Sequence, residues 1–152
     1  MILNLRTHPL LERIPTRSFA TLMELYESNY ILMRRLAPGL RALDGHAVSS
    51  VAGGVDLHLK TLECSPYTTT VAMSHWFEHD PEAVEPDLLI RVYHDAKLAE
   101  VLPDTPVDQF TLWQGAVPDP RSLEWRWELN RFLNRWLRYC LSEGHGFPRE
   151  SA

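Results

Sequence analysis

The stretch from 88 to 102, Leu-Leu-Ile-Arg-Val-Tyr-His-Asp-Ala-Lys-Leu-Ala-Glu-Val-Leu, decides the fold. Leu88 to Tyr93 and Leu98 to Leu102 are both β-rich, and His94-Asp95-Ala96-Lys97 between them is short enough to be a hairpin loop. A two- or four-residue loop there pairs Tyr93 with Leu98 and sets Arg91 opposite Glu100. A three-residue loop breaks that pairing. In the favoured register Ile90, Val92, Ala99 and Val101 make a wholly apolar face that should meet a helix. The other face, with Leu89, Arg91, Tyr93, Leu98, Glu100 and Leu102, has the mixed composition of a partly covered surface.

Upstream, the period is again two. Val55, Leu57 and Leu59 alternate with Asp56, His58 and Lys60, and Gly53-Gly54 offers a turn from a strand beginning at His46. Cys64-Ser65-Pro66 supplies the next turn, and the Thr-rich stretch Tyr67 to Phe77 reads as a third strand. Glu78 to Pro86 reads as an acidic, proline-bearing loop. Downstream, Pro103, Pro106, Pro118 and Pro120 leave Phe110, Leu112 and Trp113 as either an edge strand or a loop over the core.

Helical periodicity flanks the strands. Ser18 is placed to cap a helix from Phe19 to Leu36, stopped by Pro38-Gly39, with a stripe of Phe19, Leu22, Leu25, Tyr26, Met33 and Leu36 expected to face the sheet. Leu129, Phe132, Leu133, Trp136, Leu137, Cys140 and Leu141 define a longer helix, Arg121 to Glu143, with Trp136 inside. Trp125 and Trp127 lie about 200° apart around it, so one of them should reach a loop or a partner. The expected fold is α+β: an antiparallel sheet of about five strands built from hairpins, packed by an N-terminal and a long C-terminal helix. One domain over 18–144 is expected, with an N-terminal extension over 1–17 and a tail over 145–152.

Composition narrows the function. With 152 residues, 45% of them apolar, and no apolar run near the roughly 20 residues that span a bilayer, a cytoplasmic protein without membrane association is expected. The Met1 to Pro15 stretch has no signal-peptide pattern. A net charge of −5 disfavours nucleic acid as a partner. Cys64 and Cys140 stand apart from any second ligand pair, so free thiols and no structural zinc or other cofactor are expected.

His94-Asp95 is the most tempting pair, because histidine titrates near neutrality and an adjacent carboxylate suits acid-base work; a hairpin turn explains the same two residues. His75 and His79, four apart on a strand, would lie about 13 Å apart and could not share an ion. Tyr67-Thr68-Thr69 offers hydroxyls without a glycine-rich phosphate loop, and no serine-nucleophile motif occurs. Arg131, Arg135 and Arg138 share a face of the last helix, and Arg34-Arg35 ends the first, so a basic face could receive an anion or an acidic partner.

Five separated strings carry a family likeness: Glu27-x-Asn29-Tyr30, Arg34-Arg35-Leu36-x-Pro38, Glu63-x-x-x-Tyr67-Thr68-Thr69, Arg91-x-Tyr93-His94-Asp95-Ala96-x-x-Ala99-Glu100-Val101 and Trp136-Leu137-Arg138-Tyr139-Cys140-Leu141. Together they resemble the YqiB-like family of uncharacterised proteobacterial proteins. The resemblance implies a small bacterial cytoplasmic protein with no established activity or cofactor, and a hint of nucleotide metabolism from gene neighbourhood.

Two functions are therefore expected to compete. The first is a non-enzymatic binding or adaptor protein that engages a protein or a small anionic ligand, with a homodimer also open. The second is a nucleotide-related enzyme or sensor built on Arg91, Tyr93, His94, Asp95 and Glu100, with Tyr67, Thr68 and Thr69 nearby.

Overall fold

The computed structural model describes residues 17–77, 80–103, 119 and 121–149. Helix α1 (Phe19–Leu36) leads through a 3-10 turn (Leu40–Ala42) into the strands β1 (His46–Ser49), β2 (Asp56–Cys64), β3 (Thr68–Phe77), β4 (Asp80–Tyr93) and β5 (Leu98–Val101), and helix α2 (Leu123–Ser142) closes the order. The sheet is an antiparallel meander in chain order, as consecutive hairpins demand. Among the described residues, no helix is long and apolar enough to cross a membrane.

The second hairpin has the expected register: Tyr93 pairs with Leu98 and Arg91 with Glu100 across a four-residue turn that ends on Lys97 at φ 57°. Ile90, Val92, Ala99 and Val101 are buried, and they join Leu57, Leu59, Val71, Met73 and Leu88 in one inner face. Leu129, Leu133, Trp136 and Leu137 of α2 belong to the same cluster, as do Met33 and Leu36 of α1. The opposite hairpin face, from Leu89 to Leu102, is only half-buried, as its mixed composition predicts.

The acidic loop expected over Glu78 to Pro86 is corrected from Asp80 onward, because β4 begins at Asp80. Prolines discouraged that reading, since proline cannot donate a ladder hydrogen bond. The β3–β4 register shifts between the Ser74–Asp87 and Trp76–Val84 pairs, and again before Phe77–Asp80, so Pro86 and Pro81 sit where the ladder is already irregular. His79, Phe110, Leu112 and Trp113 lie outside the described residues.

Helix α1 starts at Ser18, whose side chain accepts from the Thr21 backbone N–H while the Thr21 hydroxyl accepts from the Ser18 N–H. Its buried stripe is Leu22, Tyr26, Asn29, Leu32, Met33 and Leu36, whereas Phe19 is 69% exposed and Leu25 half-buried. The expected stripe erred because α1 packs on α2 and on the sheet's β5 edge rather than squarely on the sheet. Asparagines fill this junction. Asn29 donates to Asn130, Asn134 donates to Asn29, and Asn130 Oδ1 receives the Val101 backbone N–H at 2.9 Å, which satisfies an edge-strand donor.

Helix α2 begins two residues later than expected, at Leu123, because Ser122 is the cap and accepts from Trp125 N. Trp125 and Trp127 are both buried, at 1% and 7% exposure, which corrects the expectation that one would leave the core. Trp125 enters the main core, and Trp127 packs with Leu22 and Tyr26 while its Nε1 donates to Thr21 Oγ1 of α1. A helix with neighbours on two sides can bury both. Gly144 then turns out at φ 93°, and the chain beyond it remains part of the body: Phe147 is buried in the core and its N–H bonds the Leu36 carbonyl.

Candidate functional site

The constellation expected around the second hairpin divides between two faces of the sheet. Paired residues in a ladder share a face, so Arg91 and Tyr93 lie with Thr70 and Thr68, while His94 follows Val92 onto the inner side with Thr69. Arg91 and Glu100 stand opposite one another without forming an ion pair: Arg91 Nε donates to Thr70 Oγ1 at 3.2 Å, and Tyr93 donates to Glu100 Oε1 at 2.8 Å. Burial, and after it the charge of Glu100, push the hydroxyl of Tyr26 on α1 up to about 12. Burial and Glu100 raise Tyr93 too. With the Tyr93 phenol held protonated on this carboxylate across the hairpin, Tyr93 and Glu100 make a cross-strand tie and not an acid-base pair ready for a substrate. Glu100→Ala should therefore lower stability by about 2 kcal/mol in urea unfolding, because the half-buried Tyr93 hydroxyl loses a charged acceptor.

On the inner side, His94 is 9% exposed and its Nε2 lies 2.8 Å from Thr69 Oγ1. Its backbone N–H bonds the Tyr67 carbonyl at 2.8 Å, which fixes the hairpin turn against the start of β3. The imidazole forms one wall of a shallow, open recess, lined also by Met33, Arg34, Ala37, Leu40, Arg41 and Val92. Arg34 comes from the last turn of α1, where its charge opposes the negative end of the helix dipole. Arg41 comes from the 3-10 turn and is positioned by a 2.8 Å bond from Nη2 to the Pro66 carbonyl. Burial lowers the pKa of His94, and the fields of Arg41 and Arg34 lower it further against a weaker opposing effect of Asp95.

A third polar group is buried beneath the end of α2. Trp136 Nε1 donates to His75 Nδ1 at 3.0 Å, and Cys140 Sγ lies 3.8 Å from His75 Nε2. An indole nitrogen only donates, so His75 Nδ1 must accept and its proton sits on Nε2, facing the sulfur. That polarity is the reverse of a histidine that activates a thiol. Burial pushes the Cys140 thiol up to about 12, which keeps it protonated. Cys64 is exposed, and neither cysteine is bonded to the other.

The remaining expected positions are scattered. Thr68 bonds Ser65 within its turn, Tyr67 is 63% exposed at the rim of the sheet, and Asp95 is exposed in the hairpin turn. On α2, Arg131 lies over the Trp127 ring at 5.7 Å and Arg138 donates to Asn134, so those two guanidiniums are engaged by their own helix while Arg135 is exposed. Arg41 carried no sequence signal, because only the meeting of the 3-10 turn with β4 brings it to the recess, whereas Met33 and Val92 of the buried floor were expected on apolar faces. Arg34 did carry one, in the Arg34-Arg35-Leu36-x-Pro38 string.

A family model described as "Protein of unknown function (DUF1249)" matches residues 32–146. The chain belongs to this family. Every residue lining the recess falls inside the DUF1249 match. "Uncharacterized protein YqiB" of Escherichia coli K12 is 32% identical over 138 residues, covering 85% of this chain and 92% of that protein. The protein of the same name from Escherichia coli O157:H7 matches equally. No solved structure matches. Three of the strings that mark the DUF1249 likeness, around Arg34 to Pro38, Tyr67 to Thr69 and His94, converge at the recess although they are far apart in the chain.

Proposed function

We propose that this bacterial protein is a non-enzymatic binding protein of the cytoplasm and that it holds a small anionic group in the recess between the end of α1 and the β4–β5 turn. One observation carries the reading. Arg34, Arg41 and His94, from three separate elements, surround an apolar floor of Met33, Ala37, Leu40 and Val92. Among the described residues, the salt bridges are those of Arg17 with Glu124 and Glu128, so neither recess arginine is matched by a carboxylate partner. Concave sites that combine an apolar lining with a few convergent polar groups are where ligands bind.

The rival reading as a nucleotide-related enzyme or sensor built on Arg91, Tyr93, His94, Asp95 and Glu100 has less support. Arg91, Tyr93 and Glu100 lie on the face opposite His94, and Glu100 is occupied by the Tyr93 hydroxyl.

Thermal denaturation at constant ionic strength tests the binding reading. Inorganic phosphate at about 100 times its Kd should stabilise the native protein by about 2.7 kcal/mol, which raises the Tm by several degrees. The double variant Arg34→Ala, Arg41→Ala should lose that increment. An equal increment in the double variant, or none in the wild type, contradicts the proposal.

A further inference from the structure

We infer that the recess takes a tetrahedral oxyanion of the phosphate type and that His94 takes up a proton as the anion seats. The inference deepens the reading of the recess as an anion site and rests on it.

The ligand class follows from how the donors are placed. Arg34 stands on α1, Arg41 on the 3-10 turn and His94 on the hairpin, so three donors approach one hollow from three elements. A planar carboxylate offers two oxygens in one plane, which suits a single guanidinium fork. A phosphate-type group offers three outward oxygens and can meet all three donors.

Proton uptake follows from what each buried histidine touches. His75 receives the Trp136 indole N–H, and a proton on its Nδ1 would set two donors face to face. It is locked neutral. His94 instead meets the Thr69 hydroxyl, which can donate or accept by rotating about its C–O bond. Its Nε2 can therefore gain a proton and keep the Thr69 bond, leaving the other ring N–H for a ligand in the recess that the imidazole lines.

The charged and titratable groups around His94 set the sign. Arg34 faces it from α1, Arg41 from the 3-10 turn and Asp95 from its own turn, while Cys64 of β2 lies 4.0 Å from the Thr69 hydroxyl that His94 bonds. Burial first, and then the two arginines, disfavour a positive imidazole and lower its pKa. A dianion between them cancels that field and favours the imidazolium. By linkage, whatever makes His94 easier to protonate when bound must itself bind more tightly as the pH falls.

Sulfate is the probe for this test, because it stays a dianion across the range in which phosphate esters titrate near pH 6. Calorimetric titration of the full chain with sulfate at about pH 8 and about pH 6 should show tighter binding at the lower pH, by up to about tenfold per pH unit. Heats in buffers of different ionisation enthalpy should show proton uptake. His94→Gln, which retains an amide to bond Thr69, should bind sulfate with an affinity that no longer changes with pH. The His94 ring proton resonances of the wild type, followed against pH with and without sulfate, give the same answer without a substitution: its titration should move upward in the complex. Equal wild-type affinity at both pH values overturns proton uptake while leaving the anion site standing. Retained pH dependence in His94→Gln, or an unmoved His94 resonance, overturns the assignment to His94. Acetate binding as tightly as sulfate overturns the tetrahedral preference. No binding of sulfate, phosphate or phenyl phosphate at either pH overturns the anion reading itself.

Discussion

Replacing Trp136 by alanine should cost on the order of 3 to 5 kcal/mol, more than any surface substitution in this chain. The indole is 6% exposed within the main core cluster, in tilted contact with Phe132 at 6.4 Å and edge-on to His75 at 5.4 Å. Truncation leaves a cavity between α2 and the sheet and removes the donor that satisfies His75 Nδ1. Trp136→Phe separates the two losses. It refills most of the volume and removes only the N–H, so about 1 to 3 kcal/mol should be lost. Urea unfolding at neutral pH measures both. A Trp136→Ala protein within about 1 kcal/mol of wild type would mean that α2 does not present this face to the core.

Acid should weaken the fold through His75 well before the carboxylates are all protonated. The side chain is 8% exposed, and burial, reinforced by His145, pushes its pKa down to about 4 from the ordinary 6.5. The folded protein thus excludes a proton that the unfolded chain accepts below about pH 6.5. Stability from this group is fully present above that value and is lost as the pH falls through about 4. At 1.36 kcal/mol per pH unit, the loss is on the order of 3 kcal/mol. His75→Leu forfeits the Trp136 acceptor and some stability at pH 7, but its stability should fall less steeply between about pH 6.5 and 4. Parallel curves for variant and wild type would show that His75 is not the group responsible.

How much of this was legible in the sequence depends on the range of the interaction. The second hairpin could be read in full, down to Arg91 opposite Glu100, because a period of two and a short polar loop allow few registers. Both helix starts were visible to within two residues, the first through its cap Ser18 and the second set at Arg121, just before the actual cap Ser122. β4 was truncated in the reading because Pro81 and Pro86 imitate a loop, and bulges that accept prolines leave no mark of their own. The α1 stripe was right at Leu22, Tyr26, Met33 and Leu36 and wrong at Phe19 and Leu25, because periodicity gives the spacing of a buried face and not the identity of its neighbours. Asn29, Asn130 and Asn134 belong to neither expected apolar stripe, yet they pair across α1, α2 and β5.

The candidate site was legible only in pieces. His94 and Thr69 were singled out, but for a site that also held Arg91, Tyr93 and Glu100. Alternation along a strand should separate Arg91 from His94, and turn residues obscured that separation. Arg41 could not have been chosen over the other arginines from sequence, since its position depends on a bond to the Pro66 carbonyl across 25 residues.

The central claim is that an anion seats between α1, the 3-10 turn and the β4–β5 turn. Backbone amide chemical shifts of the uniformly nitrogen-labelled protein, followed while inorganic phosphate is added at constant ionic strength, test it most directly. The account predicts saturable shifts concentrated at Ala37, Leu40, Arg41, Thr69 and His94, with the amides of Arg131, Arg135 and Arg138 unmoved. Shifts centred on the α2 arginines or on Arg91 and Glu100, or no saturable shifts at all, would contradict it.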